Sequence, residues 1–258
     1  MATPQPLSIV VPAYNEQTRL PSSIRKIFEF DLENPGRIAE VIVVDDGSRD
    51  LTRSVVRSLM PDHPRLRLVS YLDNAGKGYA IRRGVTEVSR GELVLITDAD
   101  LSTPLSQLAF LEGAIDEGYD IAIGSRAIDV EKVRVRQPWY RQSMGKGFNL
   151  VLRRLTGIPF RDTQCGFKLL RRDAAKEIFR QATIDRFAYD VEMILLAGRL
   201  GYSVAEVAVE WINSPDSRVR ILRDSPRMLA DVIRTRIRVG PFRANANSAT
   251  RAPRPASD

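Results

Sequence analysis

Short apolar runs alternate with helical segments along the first half of the chain, and this alternation restricts the fold more than any other feature. Residues 41–44, Val-Ile-Val-Val, are too short for a helix and too apolar for a strand with one face in water, which is typical of a central parallel strand. Similar runs occur at residues 7–13, 66–70, 93–96 and 121–124. The alternation predicts an α/β fold with helices on both faces of a mostly parallel sheet.

The net charge of +7 is distributed unevenly along the chain. Residues 1–125 contain 13 Lys and Arg against 18 Asp and Glu, whereas residues 126–258 contain 26 basic and 14 acidic residues. Within residues 126–172, twelve basic residues accompany three acidic ones. A solvated surface explains any single run of charge, but this concentration predicts that an anionic molecule binds to the second half.

After residue 124 the pattern changes to longer helical stretches, followed by a strand-like segment. The helical stretches lie at residues 140–156, 173–182 and 191–200, and the strand-like segment at 204–211. No clean linker separates the halves, so we predict one domain over residues 1–242, with residues 7–125 and 126–242 as its two functional parts. Residues 243–258 are small and polar, without apolar periodicity, and we expect them to form a disordered tail.

Composition also excludes several kinds of protein. No run of about 18 apolar residues occurs, and the N-terminus lacks the basic start and apolar centre of a secretion signal, so we expect a cytoplasmic chain that does not span a membrane. Cys165 is the single cysteine and His63 the single histidine. This rules out an internal disulfide, argues against a structural zinc site, and gives Cys165 a packing role rather than that of a nucleophile.

Paired acidic residues follow two of the predicted strands. Asp45 and Asp46 follow the second strand, and Asp98 and Asp100 follow the fourth. Ligands of parallel α/β sheets bind at the carboxyl ends of the strands, so the two motifs are expected at one edge. Turn chemistry explains either motif alone, whereas together they predict a site for Mg²⁺ or Mn²⁺ carrying a diphosphate. In this interpretation Asp100 binds the metal ion, and Asp98 supports the metal ion or the sugar.

The ends of the first and third predicted strands carry groups suited to a nucleotide. Residues 12–16, Pro-Ala-Tyr-Asn-Glu, offer an aromatic face and hydrogen-bonding groups, both of which a nucleoside requires. Residues 73–78, Asp-Asn-Ala-Gly-Lys-Gly, lack the first glycine and the Ser or Thr of an ATPase phosphate loop. A helix start capped by Asn74 is the simpler interpretation, and it leaves Lys77 able to reach a nucleotide.

Five motifs in this order resemble those of glycosyltransferase family 2, whose members have a nucleotide-sugar-binding A-type fold. They are Pro12-Ala13-Tyr14-Asn15-Glu16, Val44-Asp45-Asp46-Gly47-Ser48, Asn74-Ala75-Gly76-Lys77-Gly78, Asp98-Ala99-Asp100 and Gly124-Ser125-Arg126. Further motifs at residues 137–141, 162–168, 186–192 and 206–211 resemble those of dolichyl-phosphate β-glucosyltransferases and related polyprenyl-phosphate transferases. The likeness covers about residues 7–240.

The resemblance implies roles for residues by their position in these motifs. Those that match nucleoside contacts are Pro12, Tyr14, Asn15, Glu16, Val44 and Asp46. Those that match the motif for the metal ion and the sugar diphosphate are Asp98, Ala99 and Asp100. Those that match basic residues facing the phosphates of donor or acceptor are Arg126, Arg141 and, less closely, Arg218. Asp190 is either a helix cap or a carboxylate that approaches the acceptor.

The charge distribution leads to a hypothesis for the reaction. A lipid phosphate is already an anion near pH 7, so it needs guanidinium groups to hold it more than it needs a base. We therefore expect an inverting transfer of glucose from UDP-glucose to a polyprenyl phosphate. The alternatives are another donor such as GDP-mannose, a soluble or glycan acceptor, nucleotide binding without catalysis and, last, nucleic-acid binding, which the absence of a recognition motif argues against.

Residues 228–239 combine apolar residues at helical spacing with arginines. This pattern is typical of a helix packed on its own domain, which is the interpretation we favour, and also of a helix lying on a membrane surface. Eukaryotic members of the resembled family commonly carry a membrane-spanning segment, and this sequence shows none. We therefore expect the chain to contact the cytoplasmic face of a membrane peripherally rather than to be embedded in it.

Overall fold

The computed structural model describes residues 5–88, 90–129, 139–212, 221–243 and 249–251. The described strands are β1 (Leu7–Ala13), β2 (Ile38–Asp46), β3 (Leu66–Tyr71), β4 (Leu93–Ile96), β5 (Ile121–Ser125), β6 (Lys168–Arg171), β7 (Val204–Ala208) and β8 (Ala249–Arg251). The described α-helices are α1 (Leu20–Glu33), α2 (Thr52–Leu59), α3 (Lys77–Glu87), α4 (Leu108–Asp116), α5 (Trp139–Thr156), α6 (Arg172–Gln181), α7 (Tyr189–Leu200) and α8 (Ile221–Val239).

The chain forms two compact units, each built from two segments. The first unit comprises Met1–Leu101 and Leu169–Tyr189, and the second comprises Ser102–Lys168 and Asp190–Asp258. The predicted boundary between two functional parts, at residue 125, falls inside the second unit. That functional division stays a prediction, because a compact unit is defined by packing and not by ligand binding.

The first unit contains the strand order β3-β2-β1-β4-β6. β1 pairs in parallel with β2 and with β4, and β2 pairs in parallel with β3. Every residue of β1 and all but one of β2 are buried, as expected of strands covered on both faces. On α1, the predicted apolar face of Ile24, Ile27 and Phe28 is buried, which confirms the helical spacing.

Gly84 brings α3 close to the sheet of the first unit. A Cβ atom at this position would lie 2.4 Å from Cγ1 of Val10 and 2.9 Å from Cγ2 of Val44. Both valines are fully buried. Because glycine has no side chain, α3 packs directly on β1 and β2, and this contact determines where the first residue of α3, Lys77, lies.

The second unit contains the strand order β5-β7-β8, and both pairings are parallel. α4 packs on β5 and β7, and α5 packs against α8. None of the described helices combines the length and the apolar composition that crossing a lipid bilayer requires.

The segment expected to be a disordered tail contains a strand in its described part. In β8, Ala249 lies opposite Ala205 of β7, and Arg251 lies opposite Val207. The structure differs from the expectation at these residues because backbone pairing with β7 requires no apolar periodicity. Residues 244–248 and 252–258 lie outside the described residues, and for them the tail stays a prediction.

Candidate functional site

Hydrogen bonds join the loop after β1 to the loop after β2. The backbone N–H of Asn15 donates to Oγ of Ser48 at 2.8 Å, and the N–H of Glu16 donates to Oγ1 of Thr52 at 2.7 Å. In return, the N–H of Arg49 donates to Oδ1 of Asn15 at 2.8 Å. Asn15 has a φ of 52°, a left-handed conformation that asparagine tolerates better than most residues. The two loops therefore hold each other in place.

The other residues predicted to contact the nucleoside differ in how far they are exposed to solvent. Tyr14 is half-buried, and its stacking on a nucleoside stays a prediction. Both carboxylate oxygens of Glu16 accept hydrogen bonds from Arg19, at 2.7 and 2.6 Å. Pro12 and Val44 are buried opposite each other in the register of β1 and β2. Their contact with a nucleoside stays a prediction that their buried side chains do not support.

The carboxylate of Asp46 organises the loop between β3 and α3. It accepts hydrogen bonds from the hydroxyl of Tyr71 at 2.8 Å, from Nδ2 of Asn74 at 2.7 Å, and from the backbone N–H groups of Ala75 at 2.8 Å and Gly76 at 3.0 Å. Burial, together with the hydrogen bond to Asp46, raises the pKa of Tyr71 far above its usual value. Asp46 therefore connects the end of β2 to the loop that leads into α3.

The start of α3 differs from the prediction that Asn74 caps the helix. Gly76 occupies the capping position with a φ of 111°, a conformation that favours glycine, and the side chain of Asn74 donates to Asp46 instead. Lys77 follows, and its Nζ lies 2.5 Å from Oδ1 of Asp98 and 5.9 Å from the ring centroid of Tyr189. An ammonium group thus lies beside the first carboxylate of the acidic motif.

A tight turn after β4 carries the two acidic residues of that motif. The N–H of Leu101 donates to the carbonyl of Asp98 at 3.1 Å, and Leu101 has a φ of 47°. The carbonyl of buried Ala99 accepts a hydrogen bond of 2.6 Å from Oγ of Ser23. Asp98 and Asp100 are both partly exposed. The turn is therefore fixed through its backbone while two carboxylates remain accessible.

The loops after β1, β2, β3 and β4 are thus connected in series, by the bonds between residues 15 and 48, between 46 and 74–76, and between 77 and 98. This confirms that the four strand ends meet at one edge of the sheet. Within the described residues, no three His, Cys, Asp or Glu side chains form a group able to hold a metal ion by themselves. Asp98 and Asp100 nevertheless fit a Mg²⁺ or Mn²⁺ ion that takes its other oxygen ligands from substrate phosphates.

In the second unit, Arg126 is held by two side chains. Its Nε and Nη2 donate to the two carboxylate oxygens of Asp162 at 2.7 and 3.0 Å, and its Cζ lies 5.5 Å from the ring centroid of Trp211. Burial raises the pKa of Asp162, but the guanidinium and the hydrogen bonds outweigh it and hold that pKa below its usual value. Asp162 and Trp211 belong to the sequence motifs at residues 162–168 and 206–211, but nothing in those motifs predicts this contact.

Asp190 is buried and paired with a lysine. Its side chain is 6% exposed and forms an ion pair with Lys168, which is 1% exposed, at 2.5 Å. Nζ of Lys168 also donates to the carbonyl of Cys165. Burial raises the pKa of the Cys165 thiol, which agrees with packing rather than reactivity. The expectation that Asp190 approaches the acceptor is therefore not supported by its surroundings.

Two predicted basic residues remain without a described side-chain environment. Arg141 lies in the first part of α5, and nothing further is described of it. Arg218 lies outside the described residues. Their contacts with substrate phosphates stay predictions.

Comparison with known proteins agrees with this geometry. Residues 8–179 match the model of the family described as glycosyl transferase family 2. A dolichyl-phosphate beta-glucosyltransferase of Dictyostelium discoideum is 37% identical over 244 residues, which cover 90% of this chain and 74% of that protein. The dolichyl-phosphate beta-glucosyltransferase of Homo sapiens is 36% identical over 226 residues, covering 83% of this chain and 69% of that protein.

A solved structure shares the fold. Glucosyl-3-phosphoglycerate synthase from Mycobacterium tuberculosis, crystallised with Mn²⁺, UDP and glucosyl-3-phosphoglycerate, matches with a TM-score of 0.67 at 22% identity, over 92% of this chain and 81% of that one. This likeness confirms the predicted A-type fold.

Proposed function

The chain belongs to glycosyltransferase family 2 and is a hexosyltransferase, and on this premise we propose that it transfers glucose from UDP-glucose to a polyprenyl phosphate with inversion at the anomeric carbon. The observation that carries the proposal is the series of connected loops after β1 to β4, which ends at the carboxylates of Asp98 and Asp100. The relatives from Dictyostelium discoideum and Homo sapiens, named for glucose transfer to dolichyl phosphate, supply the sugar and the class of acceptor.

The first unit carries the groups suited to the donor. Tyr14 offers a ring for stacking on the base, and the bonds of Asn15 and Asp46 keep the surrounding loops from rearranging when the nucleotide binds. The ammonium of Lys77 provides positive charge next to Asp98, at the place where the diphosphate is expected. A site that is ordered before binding loses less entropy when its ligand arrives.

Asp100 is the residue that would bind a divalent metal ion directly. Asp98, which is paired with Lys77, would support the metal ion or the sugar. When bound, Mg²⁺ or Mn²⁺ would neutralise the charge that grows on the leaving diphosphate. The solved neighbour from Mycobacterium tuberculosis contains Mn²⁺ together with UDP, which supports a metal ion of this class. The protein itself contributes the turn after β4, whose backbone hydrogen bonds fix the segment that carries both carboxylates.

The second unit carries features suited to an anionic acceptor. A phosphate oxygen is already a nucleophile at neutral pH, whereas a sugar hydroxyl needs a base to remove its proton. Asp190, the carboxylate considered for an approach to the acceptor, is buried beside an ammonium, so we do not assign it the role of a base. Arg126 instead offers a guanidinium for the phosphate. The basic character of residues 126–258 agrees with such an acceptor.

A lipid acceptor requires contact with a membrane surface, and two neighbouring helices of the second unit have suitable exteriors. On α8, Ile233 is 42% and Ile237 79% exposed, while Met228 and Val232 are buried. On α5, Leu150 is 53% exposed. Exposed Arg154, Arg227 and Arg234 lie on the same two helices. Apolar residues beside arginines suit the boundary between lipid tails and anionic headgroups.

The proposal is tested by incubating the purified protein with radiolabelled UDP-glucose, a short prenyl phosphate and Mn²⁺ or Mg²⁺, and measuring glucose in the lipid phase. GDP-mannose as donor and 3-phosphoglycerate as acceptor are the competing arms. We expect chelation of the metal ion and Asp100→Ala each to lower the rate by at least about 10²-fold. Asp62→Ala removes an exposed carboxylate outside the site and serves as the matched control. Glucose transfer to 3-phosphoglycerate but not to the prenyl phosphate would overturn the proposed acceptor.

A further inference from the structure

We propose that Asp162 is a positioning residue that fixes the guanidinium of Arg126, so that Arg126 receives a substrate phosphate in one orientation. The inference rests on the proposed function, in which Arg126 offers its guanidinium to the phosphate of the acceptor, and the test below also covers the phosphates of the donor. In this inference Asp162 acts on the substrate only through Arg126. Trp211 contacts the guanidinium of Arg126, and Glu206 holds the turn that carries Asp162.

Asp162 holds Arg126 at three points. The side-chain Nε and Nη2 of Arg126 donate to the two carboxylate oxygens at 2.7 and 3.0 Å, and its backbone N–H donates to Oδ2 at 3.1 Å. Such a paired contact restricts the rotation of the guanidinium in its own plane. The paired contact uses Nε and Nη2, so the plane of the guanidinium is set by Asp162.

Trp211 restricts the guanidinium in the remaining direction. The Cζ atom of Arg126 lies 5.5 Å from the centroid of the Trp211 ring, within the range of a cation–π contact. The Arg126 side chain is 33% exposed, so a ligand can reach it. An arginine held by a carboxylate at its edge and an aromatic ring at its face is oriented before any ligand binds.

Glu206 of β7 holds the turn that carries Asp162. Its carboxylate, which is fully buried, accepts the backbone N–H of Arg161 at 2.9 Å and that of Asp162 at 2.7 Å. Farther along the turn, the carbonyl of Phe167 accepts the N–H of Gly124 in β5 at 2.8 Å. Since β5 and β7 are paired strands, the turn is attached at two points to the same rigid support. Asp162 therefore occupies a fixed position relative to the end of β5, where Arg126 lies.

Removing Asp162 would change phosphate binding in opposite directions under two roles for this residue. If Asp162 only neutralised Arg126, its removal would increase the positive charge at the site and tighten phosphate binding. If Asp162 orients Arg126, its removal returns rotamer freedom to a long side chain, which then has to be ordered by the ligand. That ordering is expected to weaken phosphate binding by about five- to tenfold.

The test measures phosphate binding through the fluorescence of Trp211. The chain has two tryptophans, so Trp139→Phe leaves Trp211 as the only one and provides the reference protein. UDP and citronellyl phosphate are titrated separately, and the one whose affinity changes identifies the phosphate that Arg126 meets. In this background Asp162→Asn and Arg126→Lys are each expected to weaken that binding by about five- to tenfold, and the double variant no further, because both break the same contact.

Steady-state kinetics give an independent measurement. For Asp162→Asn we expect a raised KM for the substrate identified by fluorescence and a kcat changed less than twofold, whereas a general loss of folded protein lowers kcat alone. Asp173→Asn removes a carboxylate that is 95% exposed and lies 3.9 Å from an arginine, and it is expected to change neither constant. Glu206→Gln, which keeps one acceptor oxygen, is expected to retain more of the affinity than Glu206→Ala.

The inference is overturned if Asp162→Asn binds both phosphates with unchanged or greater affinity. If Asp162→Asn fails to fold, as shown by circular dichroism, Arg126→Lys is compared with Arg126→Ala. Lysine keeps the positive charge but cannot form the paired contact with Asp162, so an oriented guanidinium predicts that both variants lose affinity. Full affinity for UDP and citronellyl phosphate in Arg126→Lys would equally overturn the inference. Failure of the proposed function is distinguishable, because a protein that forms no glucolipid still reports UDP or prenyl-phosphate binding through Trp211.

Discussion

Gly84→Ala is expected to destabilise the protein, although alanine is ordinarily the better residue inside a helix. The added Cβ would lie 2.4 Å from Cγ1 of Val10 and 2.9 Å from Cγ2 of Val44, whereas nonbonded carbon atoms pack at about 3.5–4.0 Å. Both valines are fully buried in β1 and β2, so they have no space into which to turn. Helix α3 must therefore move away from the sheet by about 1 Å.

Two opposing free energies set the size of the effect. Replacing glycine with alanine within a helix stabilises it by about 1 kcal/mol, and overpacking a filled core costs about 1–3 kcal/mol. Because two contacts with buried side chains are too short at once, the cost is expected at or just above the upper end of this range. The net result is a loss of about 2 kcal/mol in the free energy of unfolding.

The same movement is expected to reach the candidate site. Lys77 is the first residue of α3, and its Nζ lies 2.5 Å from Oδ1 of Asp98. A displacement of about 1 Å in a binding or catalytic group lowers rates by up to about 10²-fold. Since Lys77 lies two turns away from Gly84, we expect a fall of about tenfold in kcat/KM for UDP-glucose.

Urea unfolding followed by far-UV circular dichroism measures the stability change, and glucose transfer measures the effect on the site. With a dependence of about 2 kcal/mol per molar urea, the midpoint is expected to fall by about 1 M. Gly113→Ala in α4 is the matched control, because a Cβ there meets nothing within 4 Å. It is expected to raise the unfolding free energy by about 1 kcal/mol without changing activity. An unchanged or raised midpoint for Gly84→Ala would refute the close packing of α3 on the sheet.

Three further predictions concern buried ionisable groups. Thiol reagents are expected to modify Cys165 only in denaturant, because the residue is 1% exposed and burial raises its pKa; release of thionitrobenzoate from native protein would contradict this. Lys168→Met is expected to lower the unfolding free energy by about 3–5 kcal/mol by leaving Asp190 buried without its ammonium, and a further Asp190→Leu should restore most of it in urea titrations. The pKa of Asp162 is lowered because Arg126 and hydrogen bonds outweigh the effect of burial, so the stability that the pair adds is present at neutral pH and is lost as pH falls through the native pKa. The difference in unfolding free energy between wild type and Asp162→Asn is therefore expected to shrink below about pH 4, and an undiminished difference there would contradict a lowered pKa.

The parts of the fold that follow from local pattern could be predicted from the sequence. β1 has the predicted bounds, and the acidic motif lies on the turn after β4, because apolar runs and their polar ends are local features. The sequence pattern did not predict β6. Its four residues include a buried lysine, Lys168, next to two leucines, and local sequence gives no sign that a charged residue in so short a strand is buried. Its burial depends on Asp190, which is distant in sequence.

Prediction of the candidate site from the sequence is limited in the same way. Sequence patterns led to predictions of which side chains carry the chemistry, but they did not predict which residues hold those side chains. Asparagine is a favourable residue for a helix N-cap, yet the side chain of Asn74 instead donates a hydrogen bond to the carboxylate of Asp46 at the end of β2. The pairing of Arg126 with Asp162 spans 36 positions, and no spacing rule applies at that separation. The orientation of these side chains depends on partners that are distant in sequence, and such partners can be identified only from the folded structure.

The short strand β8 has a consequence for solubility. β7 is flanked by β5 on one side and by β8 on the other, so its backbone amides and carbonyls are not offered to neighbouring molecules along the β8 segment. Truncation before residue 249 would leave one edge of β7 unpaired. Unpaired strand edges can pair with strands of other copies, which leads to aggregation. At three residues and with Arg251 at its end, β8 is itself a poor template for such growth, so it acts as a shield for β7.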